Sequence, residues 1–112
     1  MPTDTDLLDR TFHALSDPSR RSIIVRLSEG PASVSELAEP LEMSLSAVVQ
    51  HIEVLQKSGI VRSKKVGRVR TCQLEPAPMR EVEQWIGQHR QAWEGRFDRL
   101  GEVLKSTYGG TP

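Results

Sequence analysis

The sequence predicts a mainly α-helical chain with one small β-hairpin, in the order α-α-α-α-β-β-α. Through most of the 112 residues, apolar side chains recur every three or four positions, which is the spacing of one helical face. Between residues 60 and 75 the pattern changes to two short runs with β-branched residues around Gly67, typical of a hairpin. Capping residues and glycine or proline separate the periodic segments, which indicates several distinct helices.

Length and composition fit one compact domain over residues 1–112, with 37% hydrophobic and 27% charged residues. No apolar run approaches the roughly 20 residues of a membrane span, so we expect no membrane partner. The start, MPTDTDLLDR, lacks the basic and apolar parts of a secretory signal. The single cysteine, Cys72, can form no intrachain disulfide. Together these features predict a cytoplasmic protein.

Each of the first two helices has one apolar face. The first is predicted over about residues 4–15, with acids in its first turn, as the helix dipole favours. The second is predicted to have Asp17 as its cap, Pro18 at its first position, and Gly30-Pro31 at its end. The two apolar faces consist of Leu8, Phe12 and Leu15, and of Ile23, Ile24 and Leu27.

Two further helices, joined by about three residues, form a predicted helix-turn-helix. The shorter one lies in SVSELAEPLEM, with Ser35 as its candidate cap, and Pro40 predicts that its last turn is missing or distorted. The longer one lies in SLSAVVQHIEVLQKSG, between the capping Ser44 and Gly59, which suits the left-handed position past a helix end. Its predicted buried face consists of Leu45, Val48, Ile52 and Leu55.

A hairpin and a long helix complete the chain. IVRSKK and VRTCQL flank VGR, and a hairpin directly after a helix-turn-helix is a wing. The last helix is predicted over about residues 78–106, and TYGGTP is predicted to be a frayed tail. This helix has a single apolar stripe that so small a domain cannot cover, so we expect an intermolecular partner for it.

The zero net charge of the chain is unevenly distributed. Residues 29–43 carry four acids and no base, whereas residues 44–74 carry six bases against one acid, a net +5. A local positive field attracts a polyanion, although a solvated basic face explains the charge equally well.

The segments ALSDPSRRSIIVRL and SVSELAEPLEMSLSAVVQHIEVLQKSGIVRSKKVGRVRTCQL resemble the ArsR-type winged-helix transcriptional regulators, over roughly residues 12–75. The resemblance implies a homodimer that binds a pseudo-palindromic operator in double-stranded DNA and represses transcription, often of its own gene. The helix from Ser44 to Lys57 would be the recognition helix, and the hairpin would contact the minor groove or phosphates. Family members dimerise through their first and last helices, which here implies an interface of Leu8, Phe12, Trp85, Ile86, His89, Trp93, Phe97, Leu100 and Leu104.

The chain departs from the family pattern in two places. Val49 and Gln50 stand where the family usually has Ser-Lys. Valine can contact a thymine methyl and glutamine can pair with adenine, so the target preference should differ. The third helix has no CVC-type thiolate pair, and the last helix has one histidine, His89, without the paired Asp/His or His/Glu spacing of metal-sensing members. We therefore predict no metal site and no cofactor.

The candidate DNA-binding residues lie on the recognition helix and the wing. Gln50 is about 200° around the helix from Val48, which favours base reading, whereas His51 is nearer the core edge, where it would pack or contact a phosphate. Arg68, at the wing tip, is the minor-groove candidate. The full set is Ser44, Ser46, Ala47, Val49, Gln50, His51, Lys57, Lys64, Lys65, Arg68 and Arg70.

Other functions have weaker support. For Arg20 and Arg21, phosphate contact and surface salt bridging are equally consistent with the sequence. The chain lacks phosphate-loop, metalloprotease and nucleophile-elbow motifs, so we predict no catalytic residue. The alternative function is a winged-helix protein-interaction module without specific DNA binding, and a third is the dimerisation domain of an enzyme. The sequence does not identify the signal that would release the protein from DNA. Three possibilities are an unidentified small-molecule effector, a redox response of Cys72, and control by the amount of the protein itself. A lone cysteine in a strand is more often inert.

Overall fold

The computed structural model describes the backbone of residues 4–108 and the side chains of residues 6–107. Its elements are α1 (Asp4–Leu15), α2 (Pro18–Leu27), β1 (Ala32–Ser33), α3 (Val34–Ala38), α4 (Leu45–Lys57), β2 (Val61–Val66), β3 (Val69–Leu74) and α5 (Ala77–Tyr108). The predicted winged helix-turn-helix class is confirmed, with β1 as an additional strand. Residues 107 and 108 of the predicted tail belong to α5, and residues 109–112 lie outside the described residues.

The caps of α2 and α4 are those that the sequence predicts. The Asp17 carboxylate accepts the backbone N–H of Arg20 at 3.0 Å, and the helix that follows begins with proline. The Ser44 hydroxyl accepts the backbone N–H of Ala47 at 3.2 Å. Gly59, with φ of 81°, follows the end of α4 in the left-handed region. Both ends of α4 are therefore set by local residues.

Helix α3 is capped two residues earlier than predicted, by Ser33 and not by Ser35. The Ser33 hydroxyl accepts the backbone N–H of Glu36, and the Glu36 carboxylate accepts the backbone N–H of Ser33, both at 3.1 Å. This reciprocal box requires a glutamate three residues after the cap, which Ser35 lacks. The helix ends at Ala38, before Pro40, as the missing proline N–H predicts. The connection to α4 therefore spans residues 39–44 and is longer than predicted.

The wing is part of a three-stranded antiparallel sheet in the order β1-β3-β2. Strands β2 and β3 pair from Val61 opposite Leu74 to Val66 opposite Val69. Gly67, with φ of 63°, lies in the turn between them. Strand β1 pairs only with residues 71 and 72, in the middle of β3. A strand of two residues has no alternating pattern, so the sequence does not reveal it.

The recognition helix is held by a core face that begins one turn later than predicted. Val48, Ile52 and Leu55 are fully buried, which confirms most of the predicted face. Leu45 is 55% exposed, so its assignment to that face is wrong. It is the first residue of α4, and only the later turns lie against the core. The core of α1–β3 contains Ala14, Ile23, Ile24, Leu27, Ala32, Leu37, Val48, Ile52, Leu55, Ile60, Val61 and Cys72.

The chain divides into two compact units between Val82 and Glu83. In the first unit, the start of α5 contributes Met79, which is partly buried, and Val82, which is almost fully buried. The second unit contains the rest of α5. The single-domain assignment over residues 1–112 remains a prediction. No helix within residues 4–108 combines the length and apolar character needed to cross a membrane.

Candidate nucleic-acid interface

Helix α4 presents a small polar surface beside its buried face. Gln50 and Ser46 are exposed, and Ala47 and Val49 are half-buried. The Ser46 hydroxyl lies 3.4 Å from that of Ser44, the cap of the helix. The side chains proposed to contact base edges are therefore solvent-accessible and lie in the first two turns, as in recognition helices.

His51 adjoins this surface but also belongs to a hydrogen-bond network. Its Nδ1 lies 3.2 Å from Nη1 of Arg20 and 3.9 Å from the Asp17 carboxylate, and its side chain is 22% exposed. The backbone N–H of Arg20, donated to the Asp17 carboxylate, holds the pKa of that carboxyl below its ordinary value. The predicted position of His51 at the core edge is confirmed, and its DNA contact remains a prediction.

Arg20 is buried, with 8% of its surface exposed. Its Nε donates to the carbonyl of Ala14 at 2.8 Å and its Nη2 to the carbonyl of His13 at 3.0 Å. Neither expectation for this residue, phosphate contact or a surface salt bridge, is correct, because the end of α1 and His51 engage its donors. Arg21 is exposed and donates to the carbonyl of Leu15 at 2.8 Å.

The wing carries exposed positive charge towards its tip. Lys64, Lys65 and Arg68 are exposed, and none of their side chains forms an ion pair or hydrogen bond with another residue in the described part of the chain. Arg62, nearer the root, lies 3.4 Å from the Glu75 carboxylate. A polyanion would therefore meet three unneutralised cations at this end of the hairpin.

Arg70 differs from these cations because it points to the recognition helix. Its Nη2 donates to Oε1 of Gln56, and its Nε donates to the Ser63 hydroxyl at 3.0 Å. Arg70 and Gln56 are half-buried, whereas Lys57, in the last turn of α4, is exposed. The structure thus separates Arg70 from the other predicted wing contacts. Gln56 is absent from the predicted site, since its spacing along the chain does not indicate a link to the hairpin.

The apolar stripe of α5 is accessible in the single chain. Phe97, Leu100 and Leu104 are 68%, 53% and 46% exposed. Trp85, His89 and Trp93 form a ring cluster with centroids 4.9–5.7 Å apart. In the first unit, Leu8 is half-buried and Phe12 is 39% exposed. These side chains make up much of the predicted dimer interface, and none of them is fully buried.

Cys72 is fully buried at the centre of the sheet, and burial raises the pKa of its thiol, against a smaller opposing effect of Arg70. Among the described side chains, those of residues 6–107, no group of three histidine, cysteine, aspartate or glutamate residues could hold a metal ion.

Comparisons with known proteins agree with this fold. A model described as a helix-turn-helix domain matches residues 15–64. The HTH-type transcriptional regulator Rv2034 of Mycobacterium tuberculosis (strain ATCC 25618 / H37Rv) is 44% identical over 68 residues, covering 61% of this chain and 64% of that protein. The crystal structure of the ArsR family transcriptional regulator RHA00566 has 46% identity and a TM-score of 0.78, covering 84% of this chain and 97% of that chain.

A third comparison concerns the fold alone. The homodimeric winged helix-turn-helix DNA-binding domain of Mb0332 from Mycobacterium bovis, in solution, has 20% identity and a TM-score of 0.63, covering 78% of this chain and 83% of that chain.

These findings define the class as winged helix-turn-helix proteins. Within that class, the chain belongs to the ArsR-type family of transcriptional regulators. Its matched part spans less than two thirds of the length of Rv2034.

Proposed function

We propose that the protein is a cytoplasmic, sequence-specific DNA-binding regulator that acts as a homodimer and represses transcription from a pseudo-palindromic operator, including that of its own gene. The observation that carries the proposal is the combination, in one unit, of an accessible polar face on α4 with an unneutralised basic wing. Membership of the ArsR-type family supports the same function.

The wing supplies most of the affinity in this proposal. The side chains of Lys64, Lys65 and Arg68 have no ion-pair or hydrogen-bond partner among the described residues, so contact with phosphates would cost them little beyond desolvation. Each neutralised phosphate releases condensed counterions, so binding should weaken steeply as salt rises. Such contacts position the protein on DNA without selecting a sequence.

The recognition helix supplies the sequence preference. Gln50 can pair bidentately with adenine, and Val49 can contact a thymine methyl group. Ser46 and Ala47 lie in the first turn, where recognition helices approach base edges. Because Val49 and Gln50 replace the Ser-Lys of the usual family pattern, the operator should differ from those of Ser-Lys members.

The accessible stripe of α5 supports the homodimer. A second copy would remove Phe97, Leu100 and Leu104 from water, and Mb0332, which shares the fold, is homodimeric. A two-fold axis would place two recognition helices in successive major grooves, about 34 Å apart. The operator should therefore contain two inverted half-sites about one turn of DNA apart.

Footprinting of the DNA that the protein binds across a genome would yield the operator. Fluorescence anisotropy, with operator and scrambled duplexes at several salt concentrations, would then separate the two roles. Gln50→Ala should lose about 1–3 kcal/mol on the operator and relax one base position. Arg68→Ala should weaken binding to both duplexes and lower the salt slope by about one.

Arg62→Ala is the matched control, because this wing arginine already lies against Glu75. It should change the salt slope less than Arg68→Ala does. If the wild-type protein showed no salt-sensitive binding to any duplex, the proposal would be wrong. The result would then favour the alternative function, a winged-helix module that binds proteins.

A further inference from the structure

We propose that Arg20 holds His51 as a neutral imidazole with its proton on Nε2, and that this N–H donates to a DNA phosphate. Arg20 acts as a positioning residue and makes no contact with DNA. The inference rests on the proposed DNA-binding function, to which it adds a phosphate contact and the residue that prepares it.

Three donors of the Arg20 side chain have fixed directions. Nε and Nη2 donate to the carbonyls of Ala14 and His13, at the end of α1. Nη1 lies 3.2 Å from Nδ1 of His51. The backbone N–H of Arg20 is held by Asp17, the cap of α2. The guanidinium is thus fixed between α1, α2 and α4, and it approaches one particular ring nitrogen.

The Arg20 guanidinium determines which ring nitrogen of His51 carries the proton. A guanidinium has only N–H donors and no acceptor, so Nδ1 of His51 must accept. An imidazole that accepts at Nδ1 carries its proton on Nε2. The alternative, an Nδ1–H directed at Asp17, has 3.9 Å between the two atoms, too long for a hydrogen bond.

The Nε2–H group remains open to solvent. The described residues contain no buried side-chain nitrogen or oxygen without a partner. His51 is not an exposed residue, and no hydrogen bond of its Nε2 occurs in the described structure. Nε2 must therefore reach the 22% of the side chain that is accessible.

The position of this donor favours a phosphate over a base. Gln50 faces away from the core, and His51 lies about 100° further around α4, on the side of the α2 cap. The flank of a recognition helix lies beside the sugar-phosphate backbone, to which most protein–DNA hydrogen bonds go. Because the donor is uncharged, the contact should add affinity without adding to the salt slope.

The tautomer can be measured without DNA. Two-dimensional 1H–15N correlation spectra that detect ring nitrogens distinguish a protonated Nε2 from a protonated Nδ1. The chain has three histidines, so His51→Gln identifies the His51 signals and exposed His13 serves as the internal control. We expect His51 in the Nε2–H form at neutral pH, and Arg20→Lys should shift it towards a mixture. A protonated Nδ1 in the wild type would overturn the inference.

Replacing His51 with glutamine or with asparagine tests the roles of its two ring nitrogens separately. Glutamine places its amide near Nε2 and can donate to DNA, whereas asparagine places its amide near Nδ1 and can accept from Arg20. His51→Asn should lose about tenfold in affinity on operator and scrambled duplexes alike, with an unchanged salt slope. His51→Gln should retain most of the affinity but have the lower thermal stability of the two.

A purely structural role of His51 could not make one variant lose affinity for DNA and the other lose thermal stability. Equal losses of affinity in both variants, or a loss confined to the operator, would overturn the phosphate contact while leaving the proposed function intact. Absence of DNA binding by the wild-type protein would overturn both proposals, although the spectra would still determine the tautomer.

Discussion

Gln56, near the end of the recognition helix, accepts a hydrogen bond from Arg70 in the wing. Both side chains also donate to the Ser63 hydroxyl, Gln56 from Nε2 at 2.7 Å and Arg70 from Nε at 3.0 Å. The three residues form a closed triangle across α4, β2 and β3. The orientation of the wing relative to the recognition helix is therefore fixed by side chains as well as by the short connecting turn.

Gln56→Ala should lower the free energy of unfolding by about 1–2 kcal/mol, because half-buried Arg70 loses its acceptor on α4. Urea unfolding of Gln56→Ala, Arg70→Ala and the double variant should give a coupling energy of at least about 0.5 kcal/mol. Gln73→Ala, an exposed glutamine of the same sheet, is the control and should change stability little. Strictly additive single effects would show that the triangle is not energetically linked.

Arg20→Ala should destabilise the protein by about 2–4 kcal/mol, since the Ala14 carbonyl and His51 lose their donor in a buried site. Arg21→Ala, at the neighbouring exposed position, should cost less than about 1 kcal/mol. Thermal and urea unfolding would measure both changes. Equal effects at the two positions would contradict the anchoring role of Arg20.

Ser44→Ala should lower stability by about 1 kcal/mol, because the hydroxyl caps α4 through the Ala47 N–H. Ser46→Ala, two residues later on the exposed surface, should change stability by less than about 0.5 kcal/mol. On the operator, however, Ser46→Ala should lose affinity when measured by anisotropy with fully folded protein. A larger loss of stability for Ser46→Ala than for Ser44→Ala would reverse these roles.

Burial raises the pKa of the Cys72 thiol in the folded chain above that in the unfolded chain. The stabilising effect of the neutral thiol is therefore complete below the unfolded pKa, about 8.5, and is lost as pH rises above it. Urea unfolding between pH 7 and 10 should show a steeper decline for the wild type than for Cys72→Ala.

The same thiol should react slowly with iodoacetamide at pH 8 in the native protein and rapidly in urea, because a buried neutral thiol is a poor nucleophile. Mass spectrometry would follow the modification. Equal rates of modification in the native and the unfolded protein would contradict the burial of Cys72. Such a result would favour a redox role for this thiol.

The fold could be predicted from the sequence wherever local chemistry determines it. Asp17 and Ser44 are capping residues followed by helical periodicity, and both caps occur in the structure. The Ser33–Glu36 box also has a readable spacing, although the prediction favoured Ser35 as the cap. Leu45 shows the limit of periodicity, which identifies a face of a helix but not the turn at which packing begins.

The side-chain links between distant segments could not be predicted in this way. Arg20 and His51 are 31 positions apart, and Gln56 and Arg70 are 14 apart. Their contacts depend on how α2, α4 and the hairpin pack together, which no local pattern encodes. An arginine that anchors a helix and one that remains exposed, such as Arg68, look alike in a single sequence.

The third strand of the sheet supports the wing over only part of its length. Strand β1 clamps β3 only at residues 71 and 72, so the ribbon from Arg70 to Gly67 is two-stranded. Two-stranded ribbons are more strongly twisted than wider sheets. In the proposed DNA complex, the twist of this ribbon would set the angle at which Arg68 approaches the groove, while the pairing with β1 keeps Cys72 in register.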